Sequence, residues 1–267
     1  MIGELNKAES GVHVSNIRSV TGGEYAGGFF GLADVSAVAQ ISEGGNTNIL
    51  ESILTLGGTS VLDAFRTFIY DSDVSGAAEV GLEVQARDSK KTEYKNDPVY
   101  SGSAGGFGGA LLNGSVKDSE VTNLRRVNGM NYTGGFIGHL GKSGTVDLDS
   151  LGALGELLSA GAGVMDIFGS HVDRCSVSGI PEGFTVHSDN TIEKQDKSEI
   201  AGGFTGYANL GRMVRDTVDG LKQVTSGQIA GGFAGKQTLR ILQTSSWIRI
   251  SSRSGKCSES DLKALQL

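Results

Sequence analysis

The sequence predicts a mainly β fold, a parallel β-solenoid (β-helix) with short helical hairpins inserted in the long gaps between its repeats. A Gly-Gly-Phe motif, with a small residue before it and a glycine two places after it, occurs five times, at Phe29, Phe107, Phe136, Phe204 and Phe233. Aliphatic residues precede three of these motifs in one common register. Glycine occurs 42 times and proline twice, which indicates tight turns rather than disorder or a collagen helix.

The motifs are spaced in a regular alternation. Successive motif phenylalanines are 78, 29, 68 and 29 residues apart, which predicts a two-motif unit of about a hundred residues, present twice and begun a third time. A repeat of this kind buries its apolar face only against its neighbours, so we expect stacked copies. The predicted domains are a repeat solenoid over residues 1–235 and a C-terminal cap or tail over residues 236–267.

The segments before three motifs read as solenoid strands. Their shared triplets are Val14, Ile17 and Val20; Val121, Leu124 and Val127; and Val218, Leu221 and Val224. Each triplet ends near a glycine that suits a corner (Gly22, Gly129 or Gly227). Parallel neighbours lie about 4.8 Å apart, so we expect the five phenylalanines to form an internal stack, each ring contributing about 1.5 to 3 kcal/mol.

The long gaps carry a second repeated element. Residues 61–65 and 74–76 match residues 164–168 and 177–179 at one offset, and we expect turns that lead into the segments 74–76 and 177–179. Apolar residues at helical spacing run from Ile49 to Ile69, with a break at residues 57–58, and from Leu151 to Phe168, with a break at residues 161–163. This spacing predicts a helical hairpin in each unit.

Strands and polar loops are expected after each insert. Residues 80–84 and 184–186 predict strands, whereas the mixed-charge runs 87–97 and 193–199 are typical of solvated loops. Beyond the last motif, apolar residues predict a terminal strand or cap, because the end of a solenoid must be covered: Leu239, Ile241, Trp247, Ile248 and Ile250.

Composition excludes several classes of partner. A net charge of −7 argues against binding to phosphate backbones, so no nucleic-acid partner is predicted. No apolar run approaches the roughly 20 residues needed to cross a bilayer, so no membrane insertion is expected within this chain. The start shows no signal peptide, and the repeat phase favours a fragment of a longer exported chain. Cys175 and Cys257 are too few and too distant for a disulfide framework or zinc site.

Two segments resemble binding loops but fail in detail. Gly138-His139-Leu140-Gly141-Lys142-Ser143 ends like a phosphate-binding loop, yet Phe136 stands where such a loop needs glycine. Residues 71–76 place oxygens at calcium-loop positions 1, 3 and 5, but position 12 is Leu82 instead of glutamate. We therefore expect corners and turns there, and no metal or cofactor.

The sequence also gives little indication of a catalytic site. His13, His139, His171 and His187 lie in unrelated phases of the repeat, and we expect surface positions for them. Asp147 and Asp149 come closest to a carboxylate cluster. Because Ser150 begins a predicted helix nearby, they are better explained as negative charges that stabilise the N-terminus of that helix. No catalytic residue is predicted.

The Ala-Gly-Gly-Phe-x-Gly units with spaced valine and isoleucine resemble the GLUG-type glycine-rich repeats of large bacterial surface proteins, especially wall-anchored proteins of Gram-positive gut and oral bacteria. The likeness covers residues 11–31, 102–138 and 198–235, and the predicted helical inserts depart from the simplest such repeats. The resemblance implies an extracellular or cell-surface location and a role in adhesion, display or spacing.

We therefore expect a non-catalytic fragment of a bacterial surface protein that binds a host or matrix protein or glycan. Host glycoprotein, mucin, immunoglobulin and glycan all remain open as ligands. Binding would be multivalent, since repeated faces raise the effective concentration without a strong single site. The alternatives are a polysaccharide-processing enzyme of the β-helix class and a purely structural spacer.

Overall fold

The computed structural model describes residues 11–34, 67–94, 97–141, 169–191, 198–209, 211–238 and 247–249. These residues form 26 short strands and no helix. Every pairing between them is parallel except that of one hairpin, and the strands lie in stacked sheets. The prediction of a mainly β, parallel architecture is confirmed.

The largest sheet, sheet I, has ten strands. They are β1 (His13–Ile17), β2 (Ser19–Gly22), β6 (Asp73–Gly76), β7 (Leu82–Ala86), β13 (Glu120–Gly129), β17 (Ser176–Gly179), β18 (Phe184–Ser188), β22 (Thr217–Asp219), β23 (Leu221–Ser226) and β26 (Trp247–Arg249). The predicted strands at residues 80–84 and 184–186 correspond to β7 and β18. Trp247 and Ile248 form a terminal strand as predicted, whereas Leu239, Ile241 and Ile250 lie outside the described residues.

Three smaller parallel sheets complete the stack. Sheet II contains β3 (Tyr25–Gly27), β10 (Ser103–Gly105), β14 (Tyr132–Gly134), β19 (Ile200–Gly202) and β24 (Ile229–Gly231). Sheet III contains β4 (Phe30–Asp34), β11 (Gly108–Leu112), β15 (Ile137–Gly141), β20 (Thr205–Asn209) and β25 (Ala234–Thr238). Sheet IV contains β5 (Thr67–Tyr70), β12 (Gly114–Lys117), β16 (Ser170–Asp173) and β21 (Gly211–Val214).

The chain visits the sheets in one fixed order. Each passage through sheets I, II, III and IV, called a circuit here, contains one Gly-Gly-Phe motif between its strands in sheets II and III. Four circuits are described in full; the described part of the fifth ends at β25, and β26 returns to sheet I against β22. Every gap between motifs, long or short, therefore holds one circuit.

The gaps between motif phenylalanines alternate in length because insertions occur in some circuits and not in others. Residues 35–66 and 142–169 separate sheet III from sheet IV in circuits 1 and 3. Residues 87–102 and 189–199 separate sheet I from sheet II in circuits 2 and 4. Both kinds of insertion fall in the long gaps and neither falls in the short gaps, so the apparent two-motif unit is a pattern of insertions on uniform circuits.

Sheet I alternates apolar and polar residues, and its inner side carries two continuous rows of valine. One row is Val14, Val74, Val121, Val177 and Val218; the other is Val20, Val84, Val127, Val186 and Val224. The register predicted for three circuits is thus present in all five. Val74 and Val177 belong to strands β6 and β17. Alternation on a pleated strand buries each row completely in the middle circuits.

The five motif phenylalanines form the predicted internal stack. Neighbouring ring centroids are 4.8 to 5.0 Å apart, and the ring planes lie within 8° of parallel. Phe107, Phe136 and Phe204 are fully buried, whereas Phe29 and Phe233 at the two ends are half-buried. The ring spacing matches the distance between hydrogen-bonded strands, so stack and sheets share one repeat.

The second glycine of the motif is required by close backbone contact. A Cβ on Gly106 would lie 2.3 Å from the Gly135 carbonyl oxygen, and a Cβ on Gly135 would lie 2.1 Å from the Gly203 carbonyl oxygen. At these positions the backbone N–H groups of one circuit donate to carbonyls of the next. Any side chain would separate the circuits and break those bonds.

A left-handed residue turns the chain from sheet IV into sheet I in every described circuit. Asp71, Asp118, Arg174 and Arg215 all have positive φ, from 47° to 60°. The next residue of each corner points inward and forms a ladder along the stack: the Ser72 N–H donates to Ser119 Oγ (3.2 Å), and the Cys175 N–H donates to Asp216 Oδ1 (2.9 Å). Burial raises the pKa of Asp216 to about 7, and its Oδ2 has no hydrogen-bond partner within the described residues.

Two expectations for the inserts are wrong where they can be checked. Phe68 and Ile69 were expected to end a helix but lie in strand β5, because Ile69 pairs with Val116 in a sheet register that overrides local helical spacing. The expected loop 87–97 instead contains β8 (Lys91–Tyr94), paired antiparallel with β9 (Asp97–Tyr100). The remaining helical predictions, residues 49–66 and 151–168, lie outside the described residues.

Replacing a ring in the middle of the stack should cost more than replacing one at its end. Phe136→Ala removes a fully buried ring with two stacked neighbours and should lower the free energy of unfolding by about 3 to 5 kcal/mol. Phe233→Ala, a half-buried ring with one described neighbour, is the matched control and should cost clearly less. Urea denaturation of both variants provides the measurement, and equal losses would contradict the stack as a core element.

Asp216 should make stability fall as pH rises. Its pKa is raised from 3.8 to about 7 in the folded chain, so between these values the folded state binds more protons than the unfolded state. This contribution is complete below about pH 4 and is lost as pH rises through about 7. Asp216→Asn should remove that part of the slope in urea denaturation series; unchanged slopes would contradict a buried, protonated Asp216.

Candidate functional site

The outer side of sheet I carries polar side chains in every circuit, and we call it the polar face. Three rows of register partners define it: His13, Asp73, Glu120, Ser176 and Thr217; Ser19, Glu83, Arg126, Thr185 and Gln223; and Thr21, Gln85, Asn128, His187 and Thr225. All fifteen are exposed or half-buried and none is apolar. The strands that bury the valine rows therefore also build this surface.

Charged groups on the polar face are largely paired with one another. Glu83 accepts from Arg126 at 2.8 Å and lies 3.4 Å from Arg125, and Asp73 contacts the His13 ring. Such exposed pairs contribute little to stability. Circuits 4 and 5 supply mainly hydroxyl and amide groups, and His187 Nδ1 lies 2.7 Å from Thr225 Oγ1.

The outer sides of sheets II and III differ, because a second small cluster is buried there. Tyr132 and Ile200 are nearly inaccessible, and Tyr207 packs against them. His139 lies between two tyrosines, with its ring centroid 4.9 Å from that of Tyr132 and 5.3 Å from that of Tyr207. The expectation of a surface His139 is wrong, since only 8% of it is exposed and burial lowers its pKa to about 4.

A buried polar network occupies the corner between sheets I and II. Asn131 Nδ2 donates to Ser89 Oγ at 2.6 Å, and Asn190 Nδ2 donates to Asn131 Oδ1 at 3.0 Å. The Asn190 N–H donates to Glu199 Oε1 at 3.1 Å. Glu199 was expected in a solvated loop but is buried, because this corner needs an acceptor for a backbone donor. The network joins side chains of adjoining circuits by hydrogen bonds.

The other residues considered from the sequence do not assemble into a reactive centre where they are described. Residues 138–141 lie in strand β15, while Lys142 and Ser143 fall outside the described ranges, as do Asp147, Asp149 and Cys257. Asp73–Gly76 is strand β6 rather than a calcium loop. Cys175 is a free, buried thiol in the corner ladder, and burial raises its pKa.

Within the described ranges, no three histidine, cysteine, aspartate or glutamate side chains are grouped so that they could hold a metal ion. The described residues also include no helix long and apolar enough to cross a bilayer.

The polar face offers a dense array of hydrogen-bond donors and acceptors on hydroxyl, amide and paired charged groups. Such an array suits recognition of a polar, repeating ligand.

The polar face was not among the features predicted from the sequence, because those predictions rested on apolar residues. The signal was present in Leu82–Ala86 and Phe184–Ser188, where buried and more exposed residues alternate. Comparison with protein-family models, curated proteins and solved structures finds no match to this chain.

His139 should make stability rise with pH, opposite to Asp216. Its folded pKa of about 4 lies below the ordinary 6.5, so the unfolded chain binds more protons between these values. The contribution is complete above about pH 6.5 and is lost as pH falls through about 4. In the Asp216→Asn background, His139→Gln should flatten the remaining slope of unfolding free energy over this range; an unaltered slope would mean that His139 titrates normally in the folded chain.

Proposed function

We propose that this chain is a non-catalytic binding domain on a parallel β-solenoid, part of a bacterial surface protein, and that the polar face binds its ligand. The fixed sheet order and the stacked phenylalanines support a solenoid. The Ala-Gly-Gly-Phe-x-Gly units, similar to GLUG-type repeats, support a location on the cell surface. The observation that carries the proposal is the polar face, whose three rows continue through five circuits without an apolar residue.

Among the ligand classes left open by the sequence, a glycan fits this surface best. The cores of protein–protein interfaces are enriched in aromatic residues and methionine, and the three rows contain neither. Nucleic acid requires unpaired cationic groups, whereas Arg126 is paired with Glu83. Serine, threonine, asparagine and glutamine both donate and accept hydrogen bonds, as sugar hydroxyls do.

The mechanism follows from repetition along the stack. Register partners in neighbouring circuits are about 4.8 Å apart, so an extended ligand lying along the stack axis meets a polar group at each step. Each hydrogen bond contributes only about 0.5 to 1.5 kcal/mol net. Strong binding therefore requires several simultaneous contacts between one ligand chain and this rigid surface. Many copies of the protein on one cell would bind several ligand chains at once.

Removing two neutral groups from the polar face should weaken glycan binding. Thr185 and Gln223 are register partners in circuits 4 and 5, and their joint replacement by alanine removes two side-chain hydrogen-bonding groups. We expect affinity for mucin-type or bacterial-matrix glycans, measured on an array and by surface plasmon resonance, to fall about fivefold to a hundredfold.

The matched control is the double variant Asn209→Ala and Thr238→Ala. This pair also joins circuits 4 and 5 in register but lies in sheet III, away from the polar face. Equal losses in both variants, or glycan arrays without any binding, would contradict the proposal and favour a structural spacer. Release of new reducing ends from a bound polysaccharide, abolished by Asp147→Ala and Asp149→Ala, would instead support the enzyme alternative.

A further inference from the structure

The motif glycines contain information about what lies below the last circuit. Down the stack, a Cβ on the second motif glycine would always meet the next carbonyl oxygen: 2.4 Å at Gly28, 2.3 Å at Gly106, 2.1 Å at Gly135 and 2.0 Å at Gly203. In circuit 5 the equivalent residue is Gly232, and no described atom lies within 4 Å of its Cβ position. The chain keeps glycine at a position where the described structure would accept any side chain.

The edge of β23, β24 and β25, which we call the lower end, also shows half of an interior contact. Phe233 is half-buried and stacks on Phe204 alone within the described residues. Ala230 is exposed, although its counterparts Ala104 and Ala201 are fully buried. The lower end therefore presents the apolar groups that other circuits bury against a following circuit.

The backbone groups of the two ends are complementary. The Phe29 N–H donates to the Phe107 carbonyl at 2.8 Å, and the Phe204 N–H donates to the Phe233 carbonyl at 2.8 Å. This direction leaves the Phe29 carbonyl facing away from circuit 2 and the Phe233 N–H facing away from circuit 4, each without a partner among the described residues. The upper end is the edge of β2, β3 and β4 that no described strand covers. It thus offers the acceptor that the lower end lacks.

No described residue after β25 supplies a sixth motif to the lower end. No phenylalanine follows Phe233 in the sequence, and no Gly-Gly pair follows residues 231–232. The described continuation, β26, pairs only with β22 and leaves the edges of β23, β24 and β25 uncovered by any described strand. The surface that best complements the lower end is the first circuit of another molecule, in which Gly28 and Phe29 belong to the same motif.

We propose that the lower end of one molecule binds the upper end of a second copy of this chain, head to tail. The Gly28 carbonyl of the second copy then lies under Gly232, its Phe29 ring continues the stack below Phe233, and its Phe29 carbonyl accepts from the Phe233 N–H. The contact is heterologous and has no closing rotation, so it produces linear assemblies. These would extend the polar face without interruption.

Strand β26 limits this association. It lies against β22, where the second copy's β1 would have to pair, because β1 and β26 hold equivalent places in sheet I. β26 must therefore leave the edge before a second copy can be seated. The three residues of β26 pair with β22 alone. Losing this small contact is offset by the contact with a full circuit of the second copy.

Analytical ultracentrifugation and electron microscopy of the full chain, at concentrations up to about 1 mM, test the proposal. We expect concentration-dependent linear oligomers. Ala230→Glu places a charge at the exposed lower end and should weaken association more than about tenfold, since stacking would bury it unpaired. Gly232→Val should do the same, because its side chain meets the incoming carbonyl but no described atom of its own molecule.

The control Thr185→Val is isosteric, lies on the polar face in circuit 4 and should leave association unchanged. Ile248→Asn, which loosens β26 opposite Val218, should strengthen association. A wild-type chain that stays monomeric throughout the concentration range would overturn the proposal. So would undiminished oligomers in both lower-end variants, each verified as folded by circular dichroism, or weaker association in Ile248→Asn.

Discussion

The structure depends on one distance, the separation of about 4.8 Å between hydrogen-bonded strands of neighbouring circuits. The rings of Phe107 and Phe136 stack at 4.8 Å and so keep that separation inside the core. Gly106 and Gly135 keep it at the corner, where a Cβ would meet a carbonyl oxygen. Core packing, corner geometry and sheet hydrogen bonds are therefore satisfied together, and a change that widens one of them disturbs the other two.

Much of this arrangement is readable from the sequence, because a repeated burial requirement leaves a repeated pattern. The phenylalanine stack, the glycine corners and three valine triplets could be predicted in this way. Val74 and Val177 could not be assigned to the same rows, since insertions of different length hide their phase. Phe68 and Ile69 follow such an insertion and have helical spacing, so only pairing with β12 reveals a strand.

The candidate surface was harder to foresee. A strand of four or five residues alternates only twice, as in Leu82–Ala86, and such a short alternation is visible only once neighbouring strands are aligned. The burial of His139 depends on Tyr132 and Tyr207, which come from elsewhere in circuits 3 and 4. Long-range partners of this kind leave no local signal. The polar face and the buried cluster thus both arise from register, which the corners and the stack impose.

The placement of the insertions bears on how the chain folds. One residue, Asn113, joins sheets III and IV in circuit 2, whereas residues 35–66 separate them in circuit 1. The cost of closing a chain loop grows only with the logarithm of its length, so the 78-residue gap costs about 0.9 kcal/mol more to close than a 29-residue gap. We therefore expect the circuits of the short gaps, from Phe107 to Phe136 and from Phe204 to Phe233, to close first. We expect folding to spread from there toward the circuits that carry insertions, because the length of an insertion changes the rate of closure more than the final structure.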